Sequence, residues 1–405
     1  MLDVLGQVLI YVVPFLLVLT VIVTIHELGH FWTARAFGVK VERFSIGFGR
    51  AILSRHDRHG IEWRLAWLPL GGYVKFAGDL DASSVPDRKG LDELRERIAR
   101  DEGEGAVSDY FHFKPVWQRA LIVAAGPFAN FVLAVLIFAV LFSALGVQVN
   151  PPRVAGVAPD GAAAAAGFET GDLVVAIDGR RIEDANEMIR IVSLNAGEAL
   201  TFRVERDGQP VELIATPARS VEQDPIAGRV TVGRIGLQLG SLPGETRFVR
   251  YDPIAAVGRG VQEVGDVIGT TLHYLGRLLT GRESGDQLSG PLGIAKASGA
   301  LTDRAVSANP DPVFTALNVL LTLVQFAAIL SIGIGFINLM PIPVLDGGHL
   351  VFYGYEAVAG KPVAAAVQEA GYRVGLALVA ALMLFATWND LQKLDLFRFL
   401  GGLAS

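Results

Sequence analysis

The chain has 405 residues, of which 51% are hydrophobic and 19% charged, and its mean hydropathy is +0.43. Soluble proteins carry about 25% charged residues, so this composition excludes an intrinsically disordered chain and indicates membrane segments. The net charge of −6 provides no general basic field for a nucleic acid, which we do not expect as a partner. The chain has no Cys, so any metal has to be held by His, Asp or Glu.

Four apolar runs predict four transmembrane helices. The first three contain no charged residue and extend from Val4 to Ile25, from Ala120 to Val147 and from Val313 to Ile337. The fourth run, Gly371 to Trp388, contains Arg373, whose long side chain we expect to reach the lipid headgroups. The sequence therefore predicts an α-helical polytopic membrane protein.

Basic residues follow the first span, and none precedes it. Arg35, Lys40, Arg43 and Arg50 cluster after this span, and the positive-inside rule places that end in the cytoplasm. The N-terminus is then outside, residues 148–312 lie on the extracytoplasmic face, and the C-terminus is outside again.

The segments between the spans differ in character. Residues 44–76 combine alternating apolar residues with Gly turns, which predicts a β-rich loop between two membrane helices on the cytoplasmic side. Residues 79–109 are densely charged and should form a solvated surface segment that is partly helical or mobile. Residues 252–279 have apolar residues at mostly helical spacing, which predicts an amphipathic helix on the membrane surface.

Residues 151–218 have the pattern of a small globular domain. We expect a strand at 173–177, a turn at Asp178-Gly179, a helix at 185–194 and a strand at 199–205. The whole chain then divides into nine consecutive segments: the first span (1–37), the β-loop and charged segment (38–118), the second span (119–147), the small extracytoplasmic domain (148–220), linker strands and the amphipathic helix (221–312), the third span with an Asp-Gly turn (313–348), a loop (349–370), the fourth span (371–389) and a tail (390–405).

The motif His26-Glu27-Leu28-Gly29-His30 stands at the end of the first span. In a helix the two histidines share a face, so they can hold one zinc ion, and Glu27 can take a proton from the attacking water. A pair of interfacial histidines with a snorkelled Glu is the alternative. It is disfavoured because an ionisable residue at membrane depth is costly unless it is functional.

A catalytic zinc site needs about three protein ligands. Thr33 and Ala36 occupy the positions at which the extended motif has Gly and a third His, so the third ligand has to come from elsewhere. Asp346 is the best candidate, because it follows the third span after a Pro-interrupted turn on the same predicted side as the histidines. The weaker candidates are His349, Glu356, His112 and His273.

The second span contains the polar residue Asn130 four positions after Gly126. We interpret this pair, with Pro127, as close packing and a polar contact between helices rather than as a direct catalytic element.

With these residues the chain resembles the site-2-type intramembrane zinc metalloproteases, and specifically the bacterial regulator-of-sigma-E protease branch. Beyond the zinc motif, the resemblance is carried by five stretches spread over nearly the whole length, namely 44–49, 70–75, 125–130, 289–296 and 338–348.

The resemblance implies a role for each site residue. His26, His30 and Asp346 would be the zinc ligands and Glu27 the general base. Asn338 would hold the substrate or stabilise the developing oxyanion. The β-loop would pair edge-on with the unwound substrate.

The resemblance also implies a substrate class and a location. The substrates would be single-span membrane proteins, such as an anti-sigma factor or a signal-peptide remnant, cut within the bilayer after a first outer cleavage. The enzyme would lie in the bacterial inner membrane with its active site near the cytoplasmic side. Residues 148–220 resemble a single PDZ domain, which would filter substrates on the periplasmic side.

Two other classes of function fit parts of this sequence. A catalytically inactive membrane scaffold with a PDZ domain is the main alternative, but it does not need Glu27, both histidines and Asp346 together. A metal transporter would distribute polar residues through the spans, whereas here they cluster at one edge.

Overall fold

The computed structural model describes residues 2–78, 88–224, 228–242, 244–282, 285, 288–308 and 311–393. Within these ranges the helices are α1 (Leu2–Ala36), α2 (Arg88–Asp101), α3 (Val116–Ala144), α4 (Ala162–Ala166), α5 (Ala185–Leu194), α6 (Pro253–Leu279), α7 (Pro291–Ser307), α8 (Pro312–Asn338), α9 (Asp346–Ala359) and α10 (Ala365–Lys393). The strands are β1 (Val41–His56), β2 (Glu62–Phe76), β3 (Val147–Val149), β4 (Arg153–Val157), β5 (Leu173–Ile177), β6 (Arg180–Arg181), β7 (Leu200–Arg206), β8 (Gln209–Ala215), β9 (Ala218–Asp224), β10 (Gly228–Arg234), β11 (Leu237–Gly240) and β12 (Arg247–Val249).

Four of these helices, α1, α3, α8 and α10, are long and apolar enough to cross a membrane, which confirms the four predicted spans. The ends of α8 show how the sequence sets such a helix. Asp311 caps it by accepting hydrogen bonds from the N–H groups of Val313 and Phe314. The helix ends at Asn338, just before two prolines that cannot continue it.

One compact unit consists of residues 1–137, 260–268 and 290–390, and it contains most of the helical part of the chain. Its helices pack closely where side chains are small. Val18 and Ile22 of α1 are buried against Ala327 of α8. Helix α7 lies in a segment predicted as linker strands and an amphipathic helix. The N-terminus of α7 is hydrogen-bonded to α10. The Asp390 carboxylate of α10 accepts hydrogen bonds of 2.9 and 2.8 Å from the N–H groups of Gly290 and Gly293.

Strands β1 and β2 form a bent hairpin within this unit, in the segment predicted to be β-rich. Residues 43–46 of β1 face two parts of β2, residues 62–65 and residues 72–75. Gly47 has a positive φ of 86°, which favours glycine at the bend. Large apolar side chains of the hairpin are exposed, with Trp67 at 73% and Leu53 at 66%. A surface of this kind is unusual in water and common in contact with lipid.

The second unit consists of residues 138–259, 269–289 and 391–405. Its centre is a six-stranded antiparallel sheet in the order β11-β4-β5-β7-β8, with β6 paired to β5. Strand β5 and helix α5 occupy the residues predicted for them. The core is apolar, and Phe168 packs edge-on against Phe202 at a centroid distance of 5.3 Å.

Three predicted boundaries differ from the structure. Residues 349–370, predicted as a loop, contain most of α9. This helix has 14 residues, which is too short for a transmembrane helix. The fourth span begins at Ala365 rather than at 371. The small domain does not end at 220, because β11 pairs with β4 from beyond the β9–β10 hairpin. Such non-local pairing leaves no local signal in the sequence.

Two parts of the sequence predictions lie outside the described residues. They are residues 79–87 of the charged segment and residues 394–405 of the C-terminal tail. The rest of the charged segment contains α2 and a short 3₁₀ helix, Glu104–Asp109, as the prediction of a partly helical segment requires.

Candidate metal centre and active site

His26 and His30 lie one helical turn apart in the last part of α1. Their Nε2 atoms are 3.2 Å apart, and their rings meet edge to face with centroids 4.8 Å apart. His26 is buried, with 7% of its surface exposed. The two imidazoles therefore direct their Nε2 atoms toward one point.

Asp346 reaches the same point from the far end of the chain. Its Oδ2 atom lies 3.1 Å from His26 Nε2 and 3.6 Å from His30 Nε2. The three possible ligand atoms all lie within 4.8 Å of one another. Among the described residues, these three side chains form a group that could hold a metal ion. The structure thus brings together the three residues predicted as ligands.

The turn before α9 positions Asp346. This residue is the first of the helix, where the helix dipole stabilises a negative charge. The turn packs tightly against that first helical turn, and a Cβ atom added to Gly348 would lie 2.4 Å or slightly more from the backbone of Ile342 and Pro343. Both glycines of Asp346-Gly347-Gly348 are buried, so a side chain at either position would displace the turn.

The donor set fits a zinc ion. Two imidazole nitrogens and one carboxylate oxygen are the protein ligands of several catalytic zinc sites, which leave a further position open. The buried Oδ2 atom of Asp346 has no hydrogen-bond partner despite its short distances to the imidazoles. A buried carboxylate oxygen in that situation is stabilised by a cation.

The side chain of Glu27 lies beside this group, where α1 faces the hairpin. Its carboxylate interacts electrostatically with both histidines and with Asp346, and the backbone of Val74 lies against it. A Cβ atom added to Gly72 would lie 3.3 Å from Glu27 Cγ. Strand β2 therefore lies against the carboxylate of Glu27, the residue predicted to be the general base.

The weaker candidate ligands do not join the described metal group. His349 is within hydrogen-bond distance of the Tyr372 hydroxyl, and Glu356 forms an ion pair with Arg119 at 2.6 Å. His112 belongs to a short 3₁₀ helix and contacts Phe111, and His273 belongs to α6. None of the four is part of the described group of possible ligands.

Asn338 is the last residue of α8 and is half-buried. Among the described hydrogen bonds, none joins its amide to the histidines, Glu27 or Asp346. Its predicted role in holding substrate therefore stays a prediction.

Helix α3 contributes contacts that the sequence did not reveal. The backbone oxygen of Ile122 lies 2.9 Å from His30 Nδ1, and the amide nitrogen of Asn130 lies 3.3 Å from His26 Nδ1. A Cβ atom on Gly126 would lie 2.9 Å from His26 Nε2 and closer still to the His30 ring. A backbone carbonyl gives no side-chain signal, whereas the spacing of Gly126 and Asn130 by four residues could have indicated a shared face.

Comparisons with known proteins identify metalloproteases as relatives of this chain. The model of peptidase family M50 matches residues 14–382. The metalloprotease MmpA of Caulobacter vibrioides is 51% identical over 395 residues, which cover 98% of each chain. A protein of Agrobacterium fabrum that carries a provisional zinc metalloprotease name is 43% identical over 384 residues, covering 95% of this chain and 96% of the relative.

The regulator of sigma-E protease RseP of Escherichia coli is 30% identical over 477 aligned positions, covering 94% of this chain and 98% of the relative. The aligned region is longer than the 405-residue chain, so this relative contains segments without a counterpart here. With four helices able to span a membrane and a His-His-Asp group that suits zinc, the chain is a polytopic membrane protein and a zinc metalloendopeptidase. The chain belongs to peptidase family M50.

Proposed function

We propose that this protein hydrolyses a peptide bond within the transmembrane segment of single-span membrane proteins, after a first cleavage outside the membrane. Anti-sigma factors and signal-peptide remnants are the proposed substrates, and the bacterial inner membrane is the proposed location. The observation that carries the proposal is the convergence of His26, His30 and Asp346 beside Glu27, in the last part of a helix that is long and apolar enough to cross a membrane.

In this proposal His26, His30 and Asp346 would hold the zinc ion, since their Nε2 and Oδ2 atoms lie close to one another. When bound, zinc supplies a Lewis acid that polarises the scissile carbonyl and lowers the pKa of water toward neutrality. Asp346 balances part of the positive charge, and the close packing of the turn before α9 keeps its carboxylate in place.

Glu27 is the proposed general base. It accepts a proton from the attacking water and delivers that proton to the leaving amine nitrogen. The Val74 backbone and the close approach of Gly72 place its carboxylate against β2. The proposed base is therefore in contact with β2, the strand proposed to bind the substrate.

The hairpin is proposed to bind the substrate by strand addition. Residues 72–76 of β2 pair with β1 on one side, and this segment passes the Glu27 side chain. A transmembrane helix shields its own peptide bonds, so it has to unwind before hydrolysis. Pairing with β2 would replace the backbone hydrogen bonds lost on unwinding and present the extended chain to the base.

Asn338 is proposed to donate a hydrogen bond to the oxyanion. It ends α8, only eight positions before Asp346, and its half-buried amide has no partner among the described hydrogen bonds. Donors of this kind contribute about 3–4 kcal/mol to the stability of a transition state.

The six-stranded domain is proposed to be a PDZ-like filter on the periplasmic side. Its antiparallel sheet, the short α4 and the longer α5 support this assignment. The domain would exclude membrane proteins that still carry a large outer domain and admit those already shortened by a first protease.

The proposal is tested by cleavage of a model single-span substrate by the purified full chain in detergent micelles. Glu27→Gln should slow cleavage by about 10²–10⁴-fold while leaving the zinc content unchanged. Glu93→Gln is the matched control, because Glu93 is an exposed carboxylate of α2, and it should cleave like the wild type. Wild-type protein that binds zinc and cleaves no transmembrane substrate would support a scaffold instead.

A further inference from the structure

Helix α3 contacts both histidines, at their Nδ1 atoms through Ile122 and Asn130 and near their Nε2 atoms at Gly126. Ile122, Gly126 and Asn130 are spaced by four residues and share one face of this helix. The Ile122 carbonyl and the Asn130 amide each lie within hydrogen-bond distance of an Nδ1 atom, and Gly126 leaves the space that the rings occupy.

The hydrogen-bond partner of His30 determines which ring nitrogen carries the proton. A backbone carbonyl can only accept a hydrogen bond, so His30 Nδ1, which lies 2.9 Å from the Ile122 oxygen, must carry the hydrogen. Its Nε2 atom then has a lone pair, and this atom is the one that faces His26 and Asp346. His30 is therefore fixed in the form that binds a cation through Nε2.

The partner of His26 is different, because an amide can both donate and accept. With Asn130 Nδ2 directed at His26 Nδ1, the ring nitrogen accepts, and the His26 proton falls on Nε2, which can donate to His30 Nε2 at 3.2 Å. Asn130 is fully buried, and in this arrangement its Oδ1 atom has no hydrogen-bond partner.

A cation held by both Nε2 atoms needs the opposite form of His26, with the proton on Nδ1. That proton requires an acceptor, and a half-turn of the Asn130 amide supplies one by bringing Oδ1 to Nδ1. We propose that Asn130 is a positioning residue for the zinc site, which accepts a hydrogen bond from His26 Nδ1 and so holds the ring in its metal-binding form. This inference rests on the proposed role of His26 as a ligand.

The backbone of α3 at this position is held independently of the amide. The Ser331 hydroxyl of α8 donates a hydrogen bond of 2.9 Å to the backbone oxygen of Asn130, and Ser331 is itself fully buried. Ser331→Ala therefore removes a buried polar contact at the same residue without touching the contact between Asn130 and His26. It is the matched control for an effect on helix packing alone.

The test is the zinc affinity of the purified full chain, measured by competition with a chelator of known affinity. Asn130→Leu keeps the size of the side chain but offers no acceptor, and it should bind zinc about 10–100-fold more weakly. Asn130→Asp offers an acceptor to Nδ1 and should keep the wild-type affinity, as should Ser331→Ala. If Asn130→Leu does not fold, Asn130→Ala carries the same expectation.

Wild-type affinity in the Leu or Ala variant would overturn the inference. An equal loss in the Asp and Leu variants would also overturn it, because packing and not an acceptor would then be responsible. His26→Ala and Asp346→Ala, measured alongside, separate this outcome from failure of the proposed function. If they retain zinc, the ligand assignment is wrong, and if they lose zinc while Asn130→Leu does not, only the role of Asn130 is wrong.

Discussion

Gly126→Ala should disable the metal centre without adding a charge or a polar group. The new Cβ atom would lie 2.9 Å from His26 Nε2 and nearer still to two atoms of the His30 ring. Ordinary contacts between such atoms begin at about 3.5 Å, so His26 has to move by about 0.6 Å and His30 by more. A misplacement of about 1 Å in a catalytic group costs about 10²-fold in rate, and we expect a loss of this size with a parallel loss of zinc affinity.

Cleavage of a model transmembrane substrate and zinc content per chain are the two measurements for this variant. Gly333→Ala in α8 is the matched control, because a Cβ atom there meets nothing within 4 Å, and it should behave like the wild type. If Gly126→Ala cleaved and bound zinc normally, the close approach of α3 to the histidines would not describe the protein.

Three further predictions concern two elements beside the site and one ion pair in the six-stranded domain. Glu356→Gln breaks the largely buried pair with Arg119 that joins α9 to α3, and it should lower the free energy of unfolding by about 2 kcal/mol in thermal or denaturant unfolding of the full chain. Gly347→Ala should abolish cleavage, because a Cβ atom there would lie 2.5 Å from the carbonyl carbon of Leu339 and displace the turn that holds Asp346. In the six-stranded domain, burial alone would raise the pKa of Asp172, but hydrogen bonds from Arg206 and a backbone N–H outweigh it and hold that pKa below its usual value. The pair therefore stabilises the fold above about pH 4 and loses this effect as the pH falls further, so the wild type should lose more stability than Asp172→Asn in unfolding experiments from about pH 6 to pH 3.

Much of the metal centre could be predicted from the sequence. The histidines lie on one face of a helix because a turn separates them, and this geometry is local. The contribution of Asp346 could be proposed because the predicted topology of four spans puts the end of the first span and the end of the third span on the same side of the membrane. The precise partner of each imidazole could not be predicted, since the contact of α3 with α1 depends on packing over about a hundred positions.

The parts of the fold that were missed share a physical cause. Helix α9 is too short to span a membrane and carries polar residues, so hydropathy did not distinguish it from a loop. Strand β11 joins its sheet only after the β9–β10 hairpin, and the link between Asp390 and the start of α7 joins two segments about a hundred residues apart. Each of these contacts depends on tertiary structure, which no local pattern specifies.

The metal centre is tested most directly by an anomalous difference map at the zinc absorption edge, from crystals of the zinc-loaded full chain. We expect one strong peak per chain, bounded by His26 Nε2, His30 Nε2 and Asp346 Oδ2. A peak at His349 or elsewhere, or a map from zinc-loaded protein without a peak between these three atoms, would contradict this expectation.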